Sequence, residues 1–381
     1  MRRLQSDPRP EWKVWAESLD YSWHSEGGAC SWNEGVAYLL TSDEVEILRV
    51  RADEVHAMCL TVVEKVVREN LWSRLGIRTE DVPLLRLSWE RREWSLTGRF
   101  DFMLDAQGEM KLIEYNAESA LTLIETAKVQ RAWLKEAMPD HKQFNTLRES
   151  LVAAWRGCGV YSAHAAWRPR HREVEATMRF MAGTMREAGI KTTLMAMHCL
   201  GWESRRGEFV DGDGQVIECC AKLYPWAWML EERFAAHVPQ ARCRFVEPAW
   251  RHLLGAKGLL VLLWEQFPGH PALLPAFDDD SRLEGAFVSK PLFGREGHNI
   301  TIRSHDRVMQ QSSGDFEGMP VIHQQLAESP RFDGCIPQFG VWMVEGRAVA
   351  LGMRETESLI IDGDSPFTPH AVERMQPSQT T

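Results

Sequence analysis

The apolar positions of the chain follow two periods. After Thr41, the residues Val55, Met58, Cys59, Val62, Val63 and Val66 recur at the spacing of one helical face, and Thr41-Ser42-Asp43-Glu44 has the form of a capping box. This predicts a long amphipathic helix ending near Asn70, with an architectural role. Residues 1 to 40 are polar and aromatic around Gly27-Gly28 and predict irregular structure. From 98 to 116 the period becomes two. Phe100, Phe102 and Leu104 fall on one face and Arg99 and Asp101 on the other; Asp105-Ala106-Gln107-Gly108 is a turn, and the return strand ends in Glu114 and Asn116. Helical spacing then runs from Thr122 to Met138 through Leu123, Ala127, Gln130 and Leu134.

From about 145 to 245 the pattern is α/β, with a helix from Glu173 to Ala188, a strand from Thr192 to Met197 and a turn at Asp211-Gly212-Asp213-Gly214. The rest of a calcium loop is missing around Asp211 and Asp213, so the turn reading stands. Further on, the β-like run Ala286-Phe287-Val288 resumes at Ile300 and Ile302. Strands follow at 321–326, 339–344 and 348–355, the last two joined at Glu345-Gly346-Arg347. The tail after Ala371 is polar and predicted loose.

With 381 residues, the chain has room for two or more subdomains. A 44% hydrophobic content with ordinary Gly and Pro argues against disorder. The net charge of −10, with both signs interspersed, argues against nucleic acid as the main partner and suits a soluble cytoplasmic protein. Basic residues at the N-terminus lack an apolar stretch behind them, which predicts no signal peptide. The longest apolar run, Gly258 to Trp264, is too short to span a bilayer. Eight cysteines without a Cys-x-x-Cys pair are predicted reduced, and sixteen scattered tryptophans are predicted to pack cores and clefts.

Three stretches carry chemistry. In Ser289-Lys290-Pro291-Leu292-Phe293-Gly294-Arg295-Glu296-Gly297-His298-Asn299-Ile300, two glycines allow close backbone approach, and Lys290 and Arg295 add charge at the two ends. Such a loop can fold over an anion; it can equally be a hairpin with a solvated tip. In the 98–116 hairpin, Arg99 with Asp101 and Glu114 with Asn116 are same-face pairs. Two carboxylates and an amide oxygen on rigid strands suit a hard cation such as Mg²⁺, although a solvated outer face has the same alternation. Third, a helix N-terminus just after that hairpin can receive an anionic group with the Ser119 hydroxyl, or Ser119 can be a plain N-cap. Lys257, heading the apolar run, is either a second phosphate lysine or a snorkelling surface lysine. The chain has no Walker-type phosphate loop.

Taken in order, Arg99-x-Asp101, Glu114-x-Asn116, the Lys257 segment ending in Leu-Trp, Lys290-Pro-x-x-Gly-Arg-Glu-Gly297, Trp342-Met-Val, Arg354-Glu355 and Phe367-x-Pro-His370 resemble the synthetase part of glutathionylspermidine synthases and their stand-alone relatives. The resemblance runs from about residue 20 to 370. It implies an α/β (α+β) chain with a permuted ATP-grasp fold and a pre-ATP-grasp substrate-binding region, the metal hairpin preceding the phosphate lysines. On that basis residues 1–97 form a helical and irregular region on the core. Residues 98–245 hold the metal hairpin and substrate region, 246–371 the nucleotide-binding region, and 372–381 the tail.

Residue by residue, the resemblance implies that Asp101, Glu114 and Asn116 hold Mg²⁺ between the phosphates of ATP. Lys257 and Lys290 contact the nucleotide, with the loop from Gly294 through Arg295 to Gly297 closing over it and Gln324 or Gln325 on the adenine side. Arg99 and Arg354 stabilise charge at the reacting carboxylate and the transferring phosphoryl group, and Ser119 joins Arg99 in substrate binding. The implied reaction is ATP-dependent amide formation between a small-molecule or peptide carboxylate and an amine. Glutathione and spermidine are the family default, with no membrane partner. A carboxylate must be activated before an amine can displace its oxygen, and an acyl phosphate does this; the site offers cations and metal ligands suited to phosphoryl transfer. An alternative is a non-catalytic ATP-binding or regulatory protein that keeps the fold. A hydrolase is disfavoured, because no serine or cysteine has a clear histidine partner. The N-terminal amidase domain of the bifunctional members has no room before these motifs. Asp362 and Asp364 would either meet polyamine cations or form an exposed acidic turn.

Overall fold

A computed structural model describes residues 1–25, 30–169, 171–304 and 307–374. The expectations for Gly27-Gly28 and for the tail beyond 374 lie outside the described residues. Around these gaps the chain folds as a mixed α/β protein of several sheets. No helix among the described residues is long and apolar enough to cross a membrane. All eight cysteines are free.

The long helix forms as its pattern predicts, over Ser42–Glu69. Thr41 Oγ1 accepts the Glu44 N–H at 3.2 Å, the Glu44 carboxylate accepts the Thr41 N–H at 2.8 Å, and Asn70 ends the helix in the left-handed region at φ 58°. Its apolar face, with Val55, Cys59, Val62, Val63 and Val66 fully buried, packs into the largest core.

Residues 1 to 40 depart from the irregular structure expected of them. Arg2–Gln5 and Val36–Leu40 pair antiparallel, Trp12–Ser18 is a helix, and Val36–Leu40 also pairs parallel with His370–Val372. Beyond the pairing of these two strands, the ordering contacts come from residues more than three hundred positions away, which no local pattern carries. Arg3 makes two hydrogen bonds to Glu355, at 2.9 and 3.0 Å, and Tyr38 and Asn33 donate to the same carboxylate at 2.7 Å. Val372, the first residue of the expected loose tail, is likewise in a strand.

Two antiparallel sheets position the charged residues. In one, the order is Phe367–Thr368, Arg347–Thr356, Ile336–Val344, Thr97–Leu104, Met110–Asn116, so the 97–116 hairpin shares a sheet with strands from the C-terminal end of the chain. In the other, Ala286–Pro291 lies between Val321–Gln325 and Thr301–Ser304 and delivers the glycine-rich loop. A separate sheet of four parallel strands, Arg244–Val246, Cys219–Leu223, Ser162–Trp167 and Lys191–Ala196, forms the α/β part; its helix, Arg172–Glu187, matches the sequence pattern. Asp211 makes the expected turn, its Oδ1 accepting the N–H groups of Asp213 and Gln215.

The helix expected from Thr122 instead begins at Leu123 and contains a π-turn at Glu125–Val129 before Gln130–Ala137. Thr122 sits outside it with φ 66°. Ser119, four residues earlier than Leu123, lies in the connecting loop and is no N-cap.

Candidate active site

In the hairpin Arg99 stands opposite Asn116 and Asp101 opposite Glu114, with a register shift just after Asp101. All four side chains therefore share one face, as the period of two requires. That face is not solvated: Arg99 is 9% and Asp101 2% exposed. Arg99 forks onto Asp101, Nε to Oδ1 at 2.6 Å and the second nitrogen to Oδ2 at 2.8 Å. Its remaining nitrogen reaches the Leu121 carbonyl at 2.7 Å and the Thr122 hydroxyl at 3.0 Å. Asn116 Nδ2 donates to both carboxylates, at 3.1 Å to Asp101 and 3.0 Å to Glu114, while Lys257 Nζ lies 3.2 Å from the other Glu114 oxygen.

The two carboxylates differ electrostatically. Burial pushes Asp101 up against the pull of Arg99. Burial acts the same way on Glu114, but Lys257, the Asn116 amide, Lys290 and Arg99 outweigh it and hold Glu114 at about 2. One firmly ionised carboxylate, a second beside it and an amide between them form a donor set that fits Mg²⁺, since turning the Asn116 amide over presents its oxygen to the point where it now presents nitrogen.

Next to this cluster a cavity is lined by Lys257, Lys290, Gly297 and Gln324 on its polar side and by Val288, Ile300 and Ile302 on its apolar side. Lys290 is 3% exposed; its ammonium donates to Gln324 Oε1 at 2.7 Å and to the Ile113 carbonyl at 3.1 Å. Burial and nearby Lys257 lower Lys290 to about 7, with Glu114 opposing. Lys257 is no snorkelling surface lysine: it is 7% exposed and donates to the Gly294 carbonyl at 2.7 Å. At Gly297, φ is 70° and a Cβ would sit 2.6 Å from the Ile361 carbonyl oxygen, so only glycine brings the loop this close. Alternation separates the two candidate glutamines. Both line the cavity, but Gln324 bonds Lys290, whereas the Gln325 amide donates to the Glu284 and Ala286 carbonyls, both at 2.8 Å. Arg295 is exposed and lies over the Trp228 ring, outside the lysine cluster.

Arg354 reaches the same region from the strand Arg347–Thr356, paired with Gln338. Its guanidinium is aimed by the backbone carbonyls of Asp362, Gly363 and Ser365, with Nε to Ser365 at 2.9 Å. Burial and the nearby Arg99 guanidinium weaken its hold on its proton. Asp362 accepts from the N–H groups of Asp364 and Ser365, the turn reading of the Asp362-Asp364 pair. Ser119 is half-buried in the loop that leads from Asn116 toward Arg99's partner Thr122.

Two carboxylates in this region were not legible as site residues. The Thr122 N–H donates to Glu173 at 2.8 Å, which puts Glu173 one residue's contacts away from Arg99. Glu125 is 3% exposed; Trp23 Nε1 donates to one of its oxygens at 2.9 Å, and the other is buried with no hydrogen-bond partner among the described residues. Burial and the Glu173 carboxylate raise Glu125 to about 8, and burial raises Glu173 as well. The only sequence signal was spacing: Glu125 follows Thr122 by three residues at the head of the helical stretch.

Fold and site describe a mixed α/β protein whose buried carboxylates and lysines meet between two antiparallel sheets. The chain belongs to the glutathionylspermidine synthase family: the family model described as glutathionylspermidine synthase preATP-grasp matches residues 3–373. A Haemophilus influenzae protein provisionally named an acid–amine ligase is 33% identical over 366 residues, covering 92% of this chain and 93% of its own. The Escherichia coli bifunctional glutathionylspermidine synthetase/amidase is 30% identical over 372 residues, 87% of this chain and 58% of that one. Trypanothione synthetase of Crithidia fasciculata is 27% identical over 346 residues, 82% of this chain and 53% of that one. The family's relatives are thus ligases, and this chain spans little more than half the length of the last two.

Proposed function

We propose that this protein is an ATP-dependent carboxylate–amine ligase of permuted ATP-grasp architecture, forming an amide through an acyl phosphate. The reading takes glutathione or a similar peptide as the acid and spermidine or a similar amine as the acceptor. The observation that carries it is one connected cluster: Asn116 donates to Asp101 and Glu114, Lys257 lies against Glu114, and Glu114, Lys257 and Lys290 line one cavity with Gly297 of the glycine-rich loop.

In this reading Lys257 and Lys290 bind the phosphates and Gln324 fixes Lys290. The apolar wall of Val288, Ile300 and Ile302 receives the base. Asp101, Glu114 and Asn116 hold Mg²⁺, which when bound offsets negative charge on the phosphate oxygens. A carboxylate oxygen of the acid attacks the γ-phosphorus and ADP leaves. Arg99 and Arg354 hold that carboxylate and the transferred group by fixed positive charge, with Ser119 on the same side. An ammonium first gives one proton to solvent; the free amine nitrogen then attacks the acyl carbon, and phosphate departs taking the nitrogen's second proton. Glu125 and Glu173 offer carboxyl oxygens that can accept the N–H groups of an incoming ammonium.

The test is incubation with Mg-ATP, glutathione and spermidine, following ADP and looking for the condensed product by mass spectrometry. ADP together with product is expected. ADP release independent of both substrates, or none with any acid–amine pair, would sink the ligase reading and favour a non-catalytic ATP-binding role.

A further inference from the structure

The glycine-rich loop is held on both sides of Gly294 from outside the cavity: by His252, which Glu118 ties to the turn Trp226–Met229, and by Trp228 of that turn itself. Before Gly294, Phe293 stacks on His252 with ring centroids 5.2 Å apart and planes 5° from parallel. His252 Nδ1 is 3.0 Å from Glu118 Oε1, and the other Glu118 oxygen accepts the Trp226 N–H at 2.6 Å. After Gly294, the Arg295 guanidinium lies 4.8 Å from the Trp228 ring centroid, and Arg168 lies 5.5 Å from the same ring. Trp226 and Trp228 both belong to the turn Trp226–Met229, which follows the carboxyl end of the parallel strand Cys219–Leu223. Glu118 stands two residues beyond Asn116, so one carboxylate joins this turn to the end of the hairpin.

A loop closed over a ligand loses conformational freedom, and aromatic stacking and cation–π contacts at two points offset part of that loss. The carboxyl ends of parallel strands are also where open α/β sheets receive ligands, so a ligand there would touch the turn on which the loop rests. We propose that the turn Trp226–Met229 is the dock of the glycine-rich loop, and that Trp228 and the Glu118–His252 pair are positioning residues coupling loop closure to occupancy of the parallel-sheet side. The dock does not depend on turnover; the coupling rests on the ligase reading. Coupling of this kind is reciprocal, so acid and nucleotide each raise the affinity of the other.

Hydrogen exchange of the 292–299 backbone in the ligand-free protein tests the dock. Trp228→Ala and Phe293→Ala should each speed exchange by about two- to thirtyfold, with Trp228→Phe close to wild type because an aromatic face remains. Unchanged exchange in both alanine variants overturns the dock, and a phenylalanine variant as fast as the alanine one removes the aromatic contact as its cause. Calorimetry with a non-hydrolysable ATP analogue, with and without glutathione, tests the coupling: wild type should show mutual tightening that Trp228→Ala loses. Equal coupling in both proteins overturns that role. Failure of the wild type to bind nucleotide condemns the ligase reading instead, and the exchange comparison still decides the dock.

Discussion

Arg99 crosses the backbone of Gly340 on the neighbouring strand: a Cβ built at Gly340 would lie 2.9 Å from Arg99 Cδ and 3.2 Å from the Gly352 carbonyl oxygen. The glycine is the space through which the guanidinium reaches Asp101. Gly340→Ala should therefore push Arg99 out of its fork. Overpacking of this kind costs about 1–3 kcal/mol, and a catalytic group displaced by an ångström loses about a hundredfold in rate. Thermal unfolding and ligation assays on the same preparation check both; an alanine variant with wild-type activity would mean that Arg99 has no fixed task.

The two carboxylates call for different substitutions. Asp101 neutralises a buried guanidinium, so Asp101→Asn leaves Arg99 unpaired and should cost about 3–5 kcal/mol of stability along with activity. Glu114 faces Lys257 near the cavity and is more exposed than Asp101. Glu114→Gln should keep the fold while Mg-ATP turnover falls by about a hundredfold or more, by analogy with losing one preorganised electrostatic partner. Circular dichroism and ADP release decide the matter: a folded Glu114→Gln protein with normal turnover removes Glu114 from the metal set.

The pattern made the hairpin, the long helix and the glycine-loop strands legible because each writes its period into adjacent residues. Placing Arg99 with Asp101 and Glu114 with Asn116 on one face followed from alternation, while their partners across the turn, Asn116 and Glu114, are set by the register. Burial of the charged face did not, since it depends on Gly340 and on Leu121 and Thr122, which the chain brings in from elsewhere. Arg2–Gln5 was misread for the same reason: its order comes from Val36–Leu40 and Glu355. Glu125 and Glu173 stay silent in sequence because a glutamate on a helix is ordinarily a solvated residue; tertiary packing against Trp23 and Thr122 makes these two unusual.

Lys290 gives a proton signature. Its value falls from 10.5 to about 7 through burial and the nearby charge of Lys257. Between those two pH values the unfolded chain holds a proton that the folded chain lacks, so this lysine contributes stability that is present above the upper value and lost as pH falls through the lower one. Phosphate oxygens brought beside the ammonium favour its charged form. At pH 8 Mg-ATP binding should therefore take up a proton, up to about one per site, seen as a binding enthalpy that varies with the buffer's ionisation enthalpy. Lys290→Arg is charged at every accessible pH and should bind without that uptake. Identical buffer dependence in the two proteins would dismiss Lys290 as a phosphate contact.

Glu125 gives the opposite sign. Burial and Glu173 raise it from 4.5 to about 8, so the folded chain keeps a proton through that window that the unfolded chain has lost. Its relative contribution to stability is full below the lower value and disappears as pH rises through the upper one. Glu125→Gln stays neutral throughout, so its melting temperature should gain on wild type as pH climbs from 5 to about 8.5. In catalysis above about pH 8.5, where wild-type Glu125 has ionised, the same change removes the negative charge that an ammonium would meet. The amine KM should rise about ten- to hundredfold while nucleotide affinity holds, because a hydrogen bond to a charged group is lost at one substrate only. A Glu125→Gln variant whose stability follows this pH trend but whose amine KM is unchanged would make Glu125 a buried acid of the fold and move the amine to Glu173 alone.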